Sequence, residues 1–143
     1  ISLRERSVFE NAKGELAAFA KIAERYKADT SSYPSSTNQL INAYAVDFTA
    51  HLFSDTNYYN LVYCTASPYA SYALLAVARD GRRIYVTHAD AEVKEYTGGV
   101  DWGGTSAATL CGSILSGTTD AGPVGFQRTG GAPNGWRPWT NAS

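Results

Sequence analysis

Between Leu3 and Ala28 the apolar residues recur at steps of three and four: Val8, Phe9, Ala12, Leu16, Phe19, Ala23 and Tyr26. That is the α-helical period, and it gathers these side chains into one stripe. Arg4, Arg6, Lys13, Lys21, Glu24 and Lys27 fill the opposite face. The spacing therefore predicts an amphipathic helix over residues 3–28 whose stripe faces a core. Gly14 is the dissenting residue, at about 1 kcal/mol relative to alanine. From Asp29 to Ser36 a run of Asp, Thr, Ser and Pro breaks the period. Tyr33-Pro34 holds the chain extended ahead of the proline, so the helix is expected to end near Ala28.

The next turn of sequence, Ser36 to Leu40, reads as the start of a short second helix or turn, with Ser36 or Thr37 able to cap it. Val46 to Asn60 has no clean period and is assigned to a connecting loop. Three strands are expected after it: Leu61–Ser67, Tyr72–Arg79 and Arg82–His88, the last two joined by Asp80-Gly81. A two-residue turn there pairs Arg79 with Arg82, Val77 with Ile84 and Leu75 with Val86. Leu75, Val77, Ile84 and Val86 then share the core face, and Leu74, Ala76, Ala78, Arg83, Tyr85 and Thr87 the other. Beyond Tyr96 the chain becomes glycine-rich, and regular structure is expected to thin out. Ala107–Leu115 is one helical or strand-like segment, and the remainder reads as loops held by Trp102, Phe126, Trp136 and Trp139. No internal repeat is present.

A length of 143 residues, with 44% hydrophobic and 17% charged, fits one globular domain over 1–143. Its parts are a helix to residue 28, a linking region over 29–60, a sheet over 61–96 and a glycine-rich region over 97–143. A net charge of −1 gives no bulk attraction to nucleic acid or anionic membrane. No stretch approaches the roughly 18 apolar residues of a membrane helix. The chain opens on Ile1 directly in helical sequence, which reads as a fragment or processed form of something longer. Cys64 and Cys111 have no Cys or His at metal-ligand spacing, so neither a metal nor a cofactor is expected. In an exported protein the two pair, closing a loop worth on the order of 4 kcal/mol in the entropic account. In a reducing compartment they are two buried thiols. A disulfide would anchor the glycine-rich third to the sheet.

The order of a long amphipathic helix, then Tyr26-Lys27-Ala28-Asp29, Tyr33-Pro34 and Leu40, then an antiparallel sheet and a late cysteine resembles the type IV pilin superfamily. Residues 18–40 carry the likeness through Tyr26, Asp29, Tyr33, Pro34 and Leu40. The physics is intelligible: Tyr26 and Tyr33 can pack together across the turn while Pro34 sends the chain toward the sheet. The resemblance implies an α+β head domain with the long helix packed on an antiparallel sheet and a disulfide-tied, irregular C-terminal region. It also implies a structural subunit of an extracellular filament serving adhesion, motility or DNA uptake. The partners would be other subunits, and the membrane before assembly, through an apolar helical segment preceding Leu3. Val8, Phe9, Ala12, Leu16, Phe19 and Tyr26 would form the packing and filament side of the helix. Two departures stand out. The Asp-Pro-Trp-Gly-like calcium loop of major secretion pseudopilins has no counterpart beyond Asp101-Trp102-Gly103, and Cys64 precedes the hairpin instead of lying near the C-terminus.

Catalytic chemistry is not expected. His51 and His88 are the only histidines, His88-Ala89-Asp90 is the sole imidazole–carboxylate neighbourhood, and Thr105-Ser106 lacks a nucleophile elbow. Arg79, Arg82 and Arg83 form the one basic cluster outside the helix, a candidate for DNA phosphates in a DNA-receptor minor pilin. Tyr58, Tyr59, Tyr63, Tyr69 and Tyr72, with Trp136 and Trp139, are candidate ligand aromatics. They carry the main alternative, a secreted carbohydrate- or protein-binding module. Asn141-Ala142-Ser143 matches a glycosylation sequon.

Overall fold

The computed structural model describes residues 3–45, 58–78, 80–102, 105–121, 126–128 and 139–141, with the backbone alone at 3–8, 58–60, 126–128 and 139–141. Helix α1 spans Leu3–Thr30. It runs past Ala28 because Thr30 turns its hydroxyl back onto the Tyr26 carbonyl (2.8 Å) and Ser31 closes the end. Ser31 takes the left-handed conformation (φ 76°) and donates its amide to the Lys27 carbonyl at 2.8 Å, a helix stop usually made by glycine. The buried stripe is Phe9, Ala12, Leu16, Phe19, Ala20 and Ala23, with Tyr26 partly buried beside it. Helix α2 spans Thr37–Tyr44, enters through Ser36 in an extended conformation and buries Thr37 and Leu40.

The main sheet has five antiparallel strands: β1 (Tyr58–Thr65), β2 (Tyr72–Ala78), β3 (Arg83–Thr87), β4 (Lys94–Glu95) and β5 (Thr119–Asp120). Their order across the sheet is β4-β3-β2-β1-β5. Helix α3 spans Ala107–Ile114 between β4 and β5 in the chain, and a separate ribbon pairs β6 (Phe126–Arg128) with β7 (Trp139–Asn141). The glycine-rich third therefore holds more regular structure than its composition suggests. An α+β architecture with a long N-terminal helix, an antiparallel sheet and a Cys64–Cys111 disulfide is what the fold contains.

The hairpin register differs from the expected one. Ala78 donates to the Arg82 carbonyl at 2.8 Å, so Ala78, and not the residue after it, faces Arg82 across the turn. Gly81 supplies the positive φ (92°) that such a loop requires, and the Asp80 carboxylate accepts the Arg82 amide at 3.0 Å. One extra loop residue shifts every pair: Val77 faces Arg83, Ala76 faces Ile84, Leu75 faces Tyr85 and Leu74 faces Val86. Because side chains alternate, the slip exchanges the faces of β2. Leu74, Ala76 and Ala78 join Ile84 and Val86, with Leu61, Tyr63 and Tyr72, under α1. Leu75 and Val77 lie on the other side with Val62, Cys64, Ala73 and Tyr85, where α3 and Trp102 cover them. Both faces of the sheet are thus core, which is why β2 is buried almost without alternation.

Two glycines give opposite expectations. At Gly14, exposed on α1, an added Cβ would have no atom within 4 Å. Gly14→Ala should therefore stabilise the domain by about 1 kcal/mol. Gly81→Ala places a Cβ at φ 92° and should cost about 1 kcal/mol or more. Urea unfolding of the two variants beside the parent measures both signs.

Candidate functional site: the hub at the end of the long helix

The residues that carry the pilin resemblance converge where α1, α2 and the sheet meet. Tyr33 is 4% exposed; its amide donates to the Tyr69 carbonyl at 2.8 Å and its hydroxyl to Glu24 of α1 at 2.6 Å. Its ring stands edge-on to Tyr72 with centroids 4.9 Å apart, and the Lys27 ammonium lies 5.1 Å from its centroid. Pro34 is buried, and its carbonyl accepts the Tyr63 hydroxyl at 2.7 Å. Leu40 is fully buried in the same core.

Tyr26 and Tyr33 belong to one core but reach it through different partners. Tyr26 sets its ring edge-on to Tyr44 of α2 (6.4 Å) and donates its hydroxyl to Gln39 at 3.2 Å. Tyr33 crosses to the sheet instead, because the left-handed Ser31 turns the chain away from the α1 surface that Tyr26 occupies. Gln39 also accepts the Ser35 amide at 2.8 Å, so one side chain joins the linker, α2 and α1. Asp29 is exposed; it accepts the Tyr44 hydroxyl and faces Arg25 at 3.9 Å, while the Arg25 guanidinium covers the Tyr44 ring at 4.3 Å.

Beneath these residues lies a floor of phenols that the sequence reading did not single out as one site. Phe19 meets Tyr63 edge-on at 5.6 Å and Tyr72 at 6.0 Å, and Tyr63 and Tyr72 stack at 6.0 Å. The signal was present, since Tyr63 and Tyr72 sit on neighbouring strands, but only the shifted register reveals that both face α1. Burial is the main reason that all three phenols, Tyr33, Tyr63 and Tyr72, are held well above the ordinary tyrosine range; Glu24 adds to it at Tyr33. Among the described residues, the Tyr72 hydroxyl and His88 Nδ1 are buried without a hydrogen-bond partner. The His88 ring lies 5.9 Å from that of Tyr33, whereas Asp90 accepts the Glu92 amide and pairs with Lys94, which pulls the Asp90 carboxyl below its usual range. The His88–Asp90 neighbourhood is therefore divided between two sets of partners.

The other sequence candidates are dispersed. Arg82 lies over the Phe9 ring at 4.2 Å and pairs with Asp80 at 3.6 Å, on the α1 side. Arg83 lies over Tyr96 at 4.9 Å and donates to the Val100 carbonyl at 3.0 Å, on the α3 side. Strand alternation separates them, and Arg79 lies outside the described residues. Trp136 and His51 lie outside them as well. Trp139 enters only as the backbone of β7 opposite Arg128, Asn141 as the backbone opposite Phe126, and Val8, Tyr58 and Tyr59 as the backbones of α1 and β1. Ser106 caps α3, accepting the Thr109 amide at 3.3 Å, and Thr105 donates to the Asp101 carbonyl at 2.8 Å. Among the described residues no group of three or more His, Cys, Asp or Glu side chains could hold a metal ion, and no helix is long and apolar enough to cross a membrane.

Compared with protein-family profiles, with curated proteins and with solved structures, the chain matches none.

The phenol floor makes two expectations. Tyr63→Phe removes a buried hydroxyl and orphans the Pro34 carbonyl, and should cost about 1–3 kcal/mol. Tyr72→Phe removes an unpartnered buried hydroxyl and should be neutral or stabilising by about 1 kcal/mol. Denaturant midpoints of the two variants order them. In alkali, Tyr33, Tyr63 and Tyr72 hold their protons more tightly folded than unfolded. Their contribution to stability is complete below about pH 10, the unfolded phenol value, and is lost as pH rises above it toward the folded values. Absorbance at about 295 nm and pH 11, where free tyrosine is mostly ionised, should show these three phenolates appearing only when denaturant is added.

Proposed function

We propose that this domain is the head of a type IV pilin-like subunit, which associates with copies of itself in an extracellular filament. The observation that carries the reading is the hub itself. A helix of 28 residues lays one stripe along an antiparallel sheet, and Tyr26, Asp29, Tyr33, Pro34 and Leu40 tie its end to α2 and the tyrosine floor. Such an arrangement suits a subunit whose long helix serves as a strut. The sheet and its disulfide-tied α3 layer make the strut's head stiff. In this reading the work is mechanical packing, with no bond made or broken in a substrate. The separation of Arg82 from Arg83 gives no support to a nucleic-acid surface at the hairpin.

Immunogold electron microscopy with antibodies raised to this domain, on cells that make the protein, tests the proposal. Label spaced along thin surface filaments, co-purifying with them after shearing, is the expected result. Label confined to the cell body or the medium, with no filament decorated, would falsify it.

A further inference from the structure

The two layers that cover the sheet are held by different means. On the α1 side the cover is broad and noncovalent: Phe9, Leu16 and Phe19 of one long helix lie over Leu61, Tyr63, Tyr72, Leu74, Ile84 and Val86. On the other side it is a short clip. Helix α3 has eight residues, including Thr109, Gly112 and Ser113, too short and too poor in helix formers to persist unless anchored. Its end is tied to the residue that leads into β5: the Thr118 hydroxyl is shared between the Cys111 carbonyl (3.1 Å) and the Leu115 carbonyl (2.8 Å), and the Thr118 amide reaches the Leu115 carbonyl at 3.2 Å. Residues 107–120 thus form one small unit.

Three kinds of link join that unit to the sheet: a strand ladder, apolar contact and a covalent bond. Strand β5 contributes two ladder positions, Cys64↔Asp120 and Thr65↔Thr119, followed by the Ala121 amide to the Tyr63 carbonyl at 2.8 Å. Ala107 and Leu110 are buried in the second core, with Ile114 and Leu115 partly buried against it. The covalent link is the Cys64–Cys111 disulfide, buried in the second core, with its Cα atoms 5.5 Å apart. Trp102 is fixed independently, against Tyr96 at 5.0 Å, whose hydroxyl accepts the Val100 amide at 3.1 Å.

We propose that this disulfide is a redox latch on one layer of the domain. Its reduction frees residues 107–120 as a unit and uncovers Val62, Ala73 and Leu75, while α1 stays seated on the opposite face. The reductant is a dithiol. Its thiolate attacks one cystine sulfur, its second thiol resolves the mixed disulfide, and it leaves as a cyclic disulfide; two electrons and two protons remain on Cys64 Sγ and Cys111 Sγ. Both sulfurs are fully buried, so attack follows a transient opening of the clip, and re-oxidation closes it again. The proposal stands apart from the filament reading and would hold for any role of the domain.

Hydrogen exchange followed by mass spectrometry on the whole chain, oxidised and after reduction with dithiothreitol and alkylation, reads the latch directly. Amides of 107–120 should exchange on the order of a hundred- to a thousand-fold faster once reduced, the scale set by opening a loop of this length. Amides of Ala12–Ala23 should remain at least about tenfold slower than those of 107–120 in the same sample. The Cys64→Ala/Cys111→Ala double variant should reproduce the pattern without alkyl groups. Equal exchange of the α1 and α3 layers after reduction overturns the latch, as does unchanged protection of 107–120 or a double variant in which α1 also fails to fold.

Discussion

The fold depends first on the contact of Phe19 with the rings of Tyr63 and Tyr72. These edge-to-face pairs contribute about 0.5–1.5 kcal/mol each beyond the area they bury, but their importance is positional. Tyr72 is also the ring on which Tyr33 rests, and Tyr63 holds the Pro34 carbonyl. One aromatic cluster therefore fixes the middle of α1, the exit of the chain from α1 and the start of β2. Emptying it would remove a contact shared by three segments, and core aromatic truncations of that kind cost about 3–5 kcal/mol.

The long helix was legible because its stripe is sustained over many turns, and the two strands of the hairpin because β-branched and aromatic residues mark them. The register was not. Whether a loop contains two or three residues around Asp80-Gly81 is decided by the bond from Ala78 to Arg82, which leaves no trace in composition. With that residue miscounted, the buried face of β2 is misread, although Leu74 and Leu75 are both apolar and offer no warning. The doubly covered sheet hid itself for the same reason: a strand that is buried on both sides loses the alternation from which a single core face is inferred.

The hub was half legible. Tyr33, Pro34 and Leu40 are where a helix-to-sheet turn needs them, but Gln39 and Tyr44, which hold Tyr26, carry no local signature. Their role follows from α2 folding back along α1, a tertiary fact. Arg82 and Arg83 turn to opposite layers because adjacent residues of an extended chain point to opposite sides. Arg82 and Arg83 each lie over an aromatic ring, Phe9 on one side and Tyr96 on the other, so that their charges brace the two layers separately.

A sheet with a cover on each face keeps both of its apolar faces in the core. Among the described residues, what the domain shows to a neighbour along its helical flank is Glu10, Asn11, Lys21, Arg25 and Asp29, all exposed. Attraction across such a flank is Coulombic and acts over a Debye length of only about 8 Å in physiological salt. Any contact made through this flank is consequently tuned by ionic strength, falling as salt rises.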